Sequence, residues 1–395
     1  MSKGFGPPPP SPLSRSIKKL KWSVIKEFER LEDPRVKREP KHLLIDIVTI
    51  AILATLCGAD TMVAVETYGK RKREWLETFL ELPYGIPSHD TFSRVFALID
   101  PQQFHECFLA WVQQITDNLD IHLINIDGKT SRGSYDRENK LKALHTVSAW
   151  ATEHNLVLAQ QRVESKSNEI TAIPELLNLL ALKGAIITLD AMGTQTNIAA
   201  QIIQQEGDYI LSLKGNQGNL HKGVKEFFKK AEVTDWEGIE YTSFETTEAG
   251  HHRTERRQVW AVPINQLPDL PNGQKWKGLA SVVMVKRERQ LWNQRTTEVC
   301  FYISSLEADA TVLAKAIRSH WGIENSLHWV LDVTFNEDHS RMRTGHGPEN
   351  MGLLRRLCLN LLKRETSKQS IAMKRYSAAL DNDYALKVLL SHDAA

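Results

Sequence analysis

Cysteine is scarce in this chain: four in 395 residues, Cys57, Cys107, Cys300 and Cys358. They lie far apart and form no CxxC pair, so neither a disulfide framework nor a zinc site is indicated, and a reducing cytosolic setting is expected. Net charge is also nearly absent, with 50 Lys and Arg against 48 Asp and Glu. A polyanion partner must therefore be sought in local charge rather than in the total. Long apolar runs are missing. The longest, Leu43 to Cys57, carries Asp46 and falls short of the roughly 20 residues a membrane span needs. It reads as a buried helix, and no membrane partner is expected. The proline-rich start has no apolar segment of the kind a secretory signal requires. P-loop, GxGxxG, HExxH and GxSxG motifs are absent, as is any internal repeat.

What is present is an ordinary globular composition, 42% hydrophobic and 25% charged, with length for two or three domains. Residues 1–41 read as an arm: Pro7–Pro10 and Pro12 come first, then a segment with ten basic and five acidic residues between Arg15 and Lys41. That segment reads as a solvated linker face or as a nucleic-acid contact. Residues 42–118 read as an all-helical domain, with Ser88 as an N-cap, Pro101 at a helix start and the basic cluster Lys70–Arg73. Such a domain suits DNA-end binding or serves as a cap on its neighbour. From Ile121 the character changes. The run IHLINIDG is a buried strand, ALHTVSAWAT and NLVLAQQRVE form a hairpin across Glu153–Asn155, and helices then alternate with the strands GAIITLDA and DYILSLKGNQ. This pattern predicts a mixed α/β sheet with helices on its faces. Residues 119–216 and 305–366 form the expected core, 217–304 an inserted β-rich block, and 367–395 a C-terminal tail.

Three carboxylates occupy special places. Asp127 and Asp190 each end a buried strand, and if those strands are parallel neighbours both acids project from the carboxyl edge of the sheet, where open α/β sheets place ligands. Singly, an aspartate there is more often a cap or turn residue. Glu324 lies between Ile317 and Leu331 at spacings of seven, with Trp321 and Leu327 three residues to either side. It is therefore expected inside the apolar stripe of a helix. There a carboxylate needs a partner such as His320, or a metal. Trp321 and Trp329 read as core residues. Three carboxylates suit a hard cation such as Mg2+. Two such ions serve an in-line phosphoryl displacement.

The segments INIDGKTSRGS, TLDAMGTQ, LKGNQG, HHRTERR and HWGIENSLHWVLDVTFNED, in this order, resemble the bacterial insertion-sequence transposases of the H-repeat-associated, ISAs-type family, members of the DDE class. The resemblance runs from about Leu31 to Leu362. It implies an RNase-H-like catalytic core, a β-rich insertion before the glutamate helix and an N-terminal helical domain. It also implies that Asp127, Asp190 and Glu324 are the catalytic and metal-binding acids, with Mg2+ as cofactor and Mn2+ as a substitute. The activity implied is cleavage at the terminal inverted repeats and joining of the freed 3′-hydroxyl to target DNA. The partners implied are transposon-end DNA, target DNA and a second copy of the chain, in the bacterial cytoplasm at the nucleoid. Rival readings are a non-catalytic DNA-binding relic and a nuclease without strand transfer. Related DDE enzymes often carry tyrosine, arginine and lysine around the glutamate where this chain has Ile317, His320 and Leu331, so a hairpin route is not implied.

Basic and polar residues near these motifs are the candidates for DNA contact. Lys129, Arg132 and Lys166 read as phosphate-neutralising groups or as solvated charges. Lys214 and Asn216 belong to a glycine-containing loop after a strand. Arg253 and Arg256 line a DNA track in the inserted block or pair across strands with Glu245 or Glu248. Arg318 lies close to the glutamate, and Arg341 and Arg343 follow Asp338 as phosphate clamps. His145, His251 and His252 lack metal-ligand spacing, so no zinc is assigned.

Overall fold

A computed structural model describes residues 24–35, 40–135, 142–164, 168–250, 253–292 and 294–390. Lys166, His251, His252, the proline-rich start and part of the 15–41 basic segment lie outside the described residues. The chain divides into two compact units: 1–120, 130–144 and 328–395 in one, 121–129 and 145–327 in the other. No helix among the described residues is long and apolar enough to cross a membrane.

The first unit is helical. Its apolar run forms the helix Leu44–Leu56, in which all residues but Ile45 are buried. Asp46, interrupting that run, accepts the Leu82 backbone N–H at 3.0 Å, and burial raises its pKa. Ser88 caps the helix His89–Leu98 by accepting the Thr91 N–H, and Pro101 opens the helix Pro101–Thr116, as the sequence predicts. The segment read as a C-terminal tail carries helices. Residues Ile371–Leu380 and Asn382–Leu389 are helices, anchored by basic side chains that the sequence pattern leaves unassigned. Buried Arg375 donates to the Thr55 carbonyl at 3.0 Å and pairs with Asp60 at 2.8 Å. These bonds offset the cost of placing a guanidinium in the interior. Glu337, fully buried, meets Arg356 at 3.2 Å and Arg355 at 3.8 Å.

The second unit is built on one nine-stranded sheet. Its strands are β1 (Leu123–Ser131), β2 (Leu144–Ala151), β3 (Leu156–Arg162), β4 (Ile186–Leu189), β5 (Asp208–Leu213), β6 (Thr242–Gly250), β7 (Arg253–Pro263), β8 (Ser281–Leu291) and β9 (Gln294–Ser304). They lie in the order β3-β2-β1-β4-β5-β9-β8-β7-β6. The first hairpin forms as predicted, with β2 and β3 antiparallel and Asn155 taking a positive φ in the turn. Strands β1, β4 and β5 are parallel neighbours, connected through helices as parallel strands require. The β-rich block continues this same sheet: β9 pairs antiparallel with β5 from Ile210↔Ser304 to Leu213↔Phe301, and β8, β7 and β6 follow as a meander. The helix Ala310–Ile323 follows β9. Its N-terminus is capped by Asp309, which accepts the Thr311 and Val312 N–H groups. Leu313, Ala316 and Ile317 pack on Ile210 of β5, Val259 and Ala261 of β7, and Val283 and Val285 of β8. That apolar seam sets how the helix lies on the sheet, and Glu324 follows its last residue, Ile323.

Candidate active site

Strands β1 and β4 run in register from Leu123↔Ile186 to Ile126↔Leu189. The next residue on each strand is an aspartate, so Asp127 and Asp190 leave the same edge of the sheet side by side. Strand β4 ends there, but β1 continues to Ser131. Asp127 is thus the first residue past the shared ladder rather than the end of its strand. Beneath the pair, Asn125 and Thr188 share register in the two strands, and the Thr188 hydroxyl donates to Asn125 Oδ1 at 3.0 Å. Thr188 Oγ1 also lies 2.7 Å from His320 Nδ1, and the Asn125 amide donates to the Ser319 carbonyl at 2.6 Å. His320 is therefore bound to the sheet floor, in hydrogen bonds that tie the glutamate helix to both aspartate strands.

After β4 the chain turns sharply about Asp190. Its Oδ1 accepts the Met192 and Gly193 N–H groups at 2.9 and 3.1 Å, and the Thr194 hydroxyl donates to the Ser212 carbonyl at 2.6 Å. The loop after β5 clamps this turn. The Asn216 amide donates to the Ala191 carbonyl and the Gln217 amide to that of Thr194.

Glu324 differs from its expectation. Ile317 and Leu331 are buried, yet Glu324 is exposed, and Trp321 and Trp329 are about half exposed, at 45% and 55%. Here the α-helix passes into a π-helical turn over Glu324–His328; the buried apolar residues are Ile323 and Leu327, and Glu324 lies off that stripe. Its carboxylate is then available to the sheet edge: an oxygen of Glu324 lies within 4.8 Å of one of Asp127.

The acids disturb one another. Burial, with the charges of Asp190, Glu169 and Glu324 adding to it, pushes the Asp127 carboxyl up to about 7. Burial and the Glu169 charge also raise the Asp190 pKa, while the Gly193 and Met192 N–H groups and Lys214 oppose the rise. Glu169 and His145 are functional candidates that sequence reasoning missed. His145 Nε2 and Glu169 Oε1 are 2.7 Å apart, on two elements 24 positions apart in sequence. Nothing in the sequence pairs 145 with 169. Asp127 and Glu324 each offer a carboxylate oxygen here, the ligand type a hard divalent cation takes.

Of the candidate DNA contacts, Lys214 faces a cavity of about 450 Å3 that is also lined by Asp190, Arg257, Arg287, Arg318 and Trp321. Several of these cations are held by the protein itself: Arg318 lies 3.3 Å from Glu248, and Arg287 pairs with Glu298 and stacks on Trp321 at 4.9 Å. Arg256 takes both oxygens of Glu245 on the neighbouring strand, and Arg253 lies 3.9 Å from Glu255. Lys129 is buried. Arg132 is exposed, with its Nε 3.5 Å from Asp338 Oδ2 and its backbone N–H donating to Oδ1 of the same carboxylate. Arg341 is exposed, and Arg343 donates to the Gly133 carbonyl and covers the Tyr135 ring.

Residues 118–361 match the family described as "Transposase DDE domain", and residues 25–112 match its companion, "DDE_Tnp_1-associated". The chain is 40% identical to YncI of Escherichia coli O157:H7, across 93% of this chain and 95% of that protein. It is 39% identical to the H repeat-associated protein YhhI of Escherichia coli K12, across 93% and 97%. It superposes on a piggyBac transposase synaptic complex with hairpin DNA at a TM-score of 0.44 and 11% identity, covering 95% of this chain and 77% of that one. The chain belongs to the DDE transposases, in the H repeat-associated group.

Proposed function

We propose that the chain binds the terminal inverted repeats of an insertion sequence, cleaves DNA at their ends and joins the 3′-hydroxyl to target DNA, with Asp127, Asp190 and Glu324 as the acids that do so. The observation that carries this reading is the register of β1 and β4, which sets two aspartates at one sheet edge with the Glu324 carboxylate within 4.8 Å of the first. Carboxylates so crowded repel, and a divalent cation is what relieves them. Asp127 and Asp190 hold Mg2+, or Mn2+ in its place, and Glu324 completes the set. Mg2+ when bound activates the attacking oxygen and neutralises charge on the leaving one. The role of the chain is to fix the geometry: parallel strands set the two aspartates, the Asp190 turn is braced by Asn216 and Gln217, and the His320 bond to Thr188 sets the helix bearing Glu324. Lys214 beside Asp190 and exposed Arg132 and Arg341 serve the DNA phosphates, which they neutralise by counterion release. Acting on two ends at once calls for a second copy of the chain, most simply as a homodimer.

The test uses labelled DNA carrying the ends of the element. Asp127→Asn, Asp190→Asn and Glu324→Gln each lose cleavage and strand transfer by roughly a thousandfold, while gel-shift binding persists. Wild-type cleavage by a folded Glu324→Gln protein removes Glu324 from the set. Cleavage without joining of precut ends to a supercoiled target identifies a nuclease instead. Binding with no metal-dependent cleavage by the wild type identifies a relic.

A further inference from the structure

Two titratable groups at the aspartate edge have no part in the three-acid reading. His145 comes from β2, and Glu169 is the first residue of the helix Glu169–Leu177, whose N-terminus Asn168 caps. The imidazole and the carboxylate are 2.7 Å apart, with the two side chains 27% and 14% exposed. An ionised carboxylate can only accept, so the His145 Nε2–H donates and fixes which way Glu169 Oε1 points. Among the described residues Oε2 makes no further hydrogen bond.

The pair is seated against Gly128, the residue after Asp127. A Cβ on Gly128 would lie 2.2 Å from Glu169 Oε1 and 2.9 Å from His145 Nε2. Strand β1 thus omits a side chain at this one position, and the omission brings an acid and its imidazole up to the backbone next to Asp127. Glu169 is also near enough to oppose ionisation of Asp127 and of Asp190. A carboxylate whose only work is to hold an imidazole gains nothing by standing beside two further acids, because their charges repel it. The arrangement becomes favourable once a cation is shared among the carboxylates.

We propose that Glu169, oriented by His145, is a fourth carboxylate of the cation site, adding its second oxygen on the side of Asp127 and Asp190. The proposal rests on the reading that Asp127, Asp190 and Glu324 hold the cation. Histidine here acts on the ligand rather than on the ion, the arrangement by which outer groups tune metal affinity.

The test uses the full chain and two readouts: Mn2+ binding without DNA, followed by the paramagnetic resonance of free Mn2+, and the Mg2+ concentration that half-saturates end cleavage. Glu169→Gln weakens Mn2+ binding by about 10–100-fold and raises the Mg2+ midpoint by a similar factor, the range for groups that support a metal site. Saturating Mg2+ then restores most of the rate. Glu169→Asp recovers part of the affinity, and His145→Gln, which keeps an N–H donor, shifts it less than His145→Ala. A folded Glu169→Gln protein with unchanged Mn2+ binding and an unchanged midpoint overturns the proposal. If Glu169→Gln does not fold, a folded His145→Ala protein with wild-type Mn2+ binding overturns it as well. Asp127→Asn separates the two levels: it cleaves at no Mg2+ concentration if the site is correct, and wild-type cleavage by it refutes the site itself rather than the part of Glu169.

Discussion

Replacing Asp127 with asparagine tests how much the crowded edge costs the metal-free fold. An aspartate in water titrates near 3.9, whereas burial and neighbouring acids bring Asp127 to about 7. The native state therefore holds a proton that the unfolded chain has released, and between these two values stability falls as pH rises. Over the whole interval the loss is about 4 kcal/mol at 1.36 kcal/mol per pH unit, of which about 2.7 kcal/mol falls between pH 5 and 8. Asp127 is only partly buried, and solvent screening brings the second figure to roughly 1.5 kcal/mol. The assay is urea unfolding followed by circular dichroism at pH 5 and 8 in chelator. Wild type loses about 1.5 kcal/mol more than Asp127→Asn on this rise, because the amide has no charge to expose. Added Mg2+ stabilises wild type at pH 8 and leaves Asp127→Asn nearly unchanged. Identical pH dependence in the two proteins would refute the reasoning.

Other substitutions probe separate links of the argument. Gly345→Ala should destabilise by about 2–4 kcal/mol in urea titration, since φ is +53° and the new Cβ would stand 2.4 Å from the Ala97 carbonyl oxygen. Glu337→Ala strands two buried guanidinium groups and should cost about 3–5 kcal/mol, read the same way. Gly128→Ala should leave the chain folded by circular dichroism yet weaken Mn2+ binding, since the carboxylate end of Glu169 is the part able to move aside. Lys214→Ala should reduce the slope of log binding against log salt by about 0.9 on element-end DNA, the share of one phosphate.

The parallel pair carrying Asp127 and Asp190 was legible in the sequence because buried parallel strands read as short β-branched runs, and each acid follows its run directly. The position of Glu324 along the chain was legible, but its environment was not. Period-seven spacing assumes an unbroken α-helix, whereas the chain passes into a π turn over Glu324–His328, with Ile323 and Leu327 as the buried residues there. The cross-strand charge pairing of Arg256 with Glu245 was foreseen as an alternative and is what the strands display. Partners joined only by folding stayed invisible: His145 with Glu169, Arg375 with Thr55 and Asp60. Their residue types carry no spacing signal, since the elements that bear them meet only in three dimensions.

The pairing of β5 with β9 has a consequence in time. Ile210 and Ser304 are neighbours in the sheet, so this seam closes only after the intervening helix and the strands β6 to β8 have been made. Loop closure across such a distance is slow and comes late in folding. The helix that brings in Glu324 begins at Ala310, just beyond the seam. A chain still emerging from the ribosome thus displays two aspartates without the glutamate, and the three acids meet only when synthesis has passed residue 324 and the last central strand has docked. Under the proposed function, DNA cutting is acquired only after residue 324 has been made and docked, and a product truncated before β9 has no route to it.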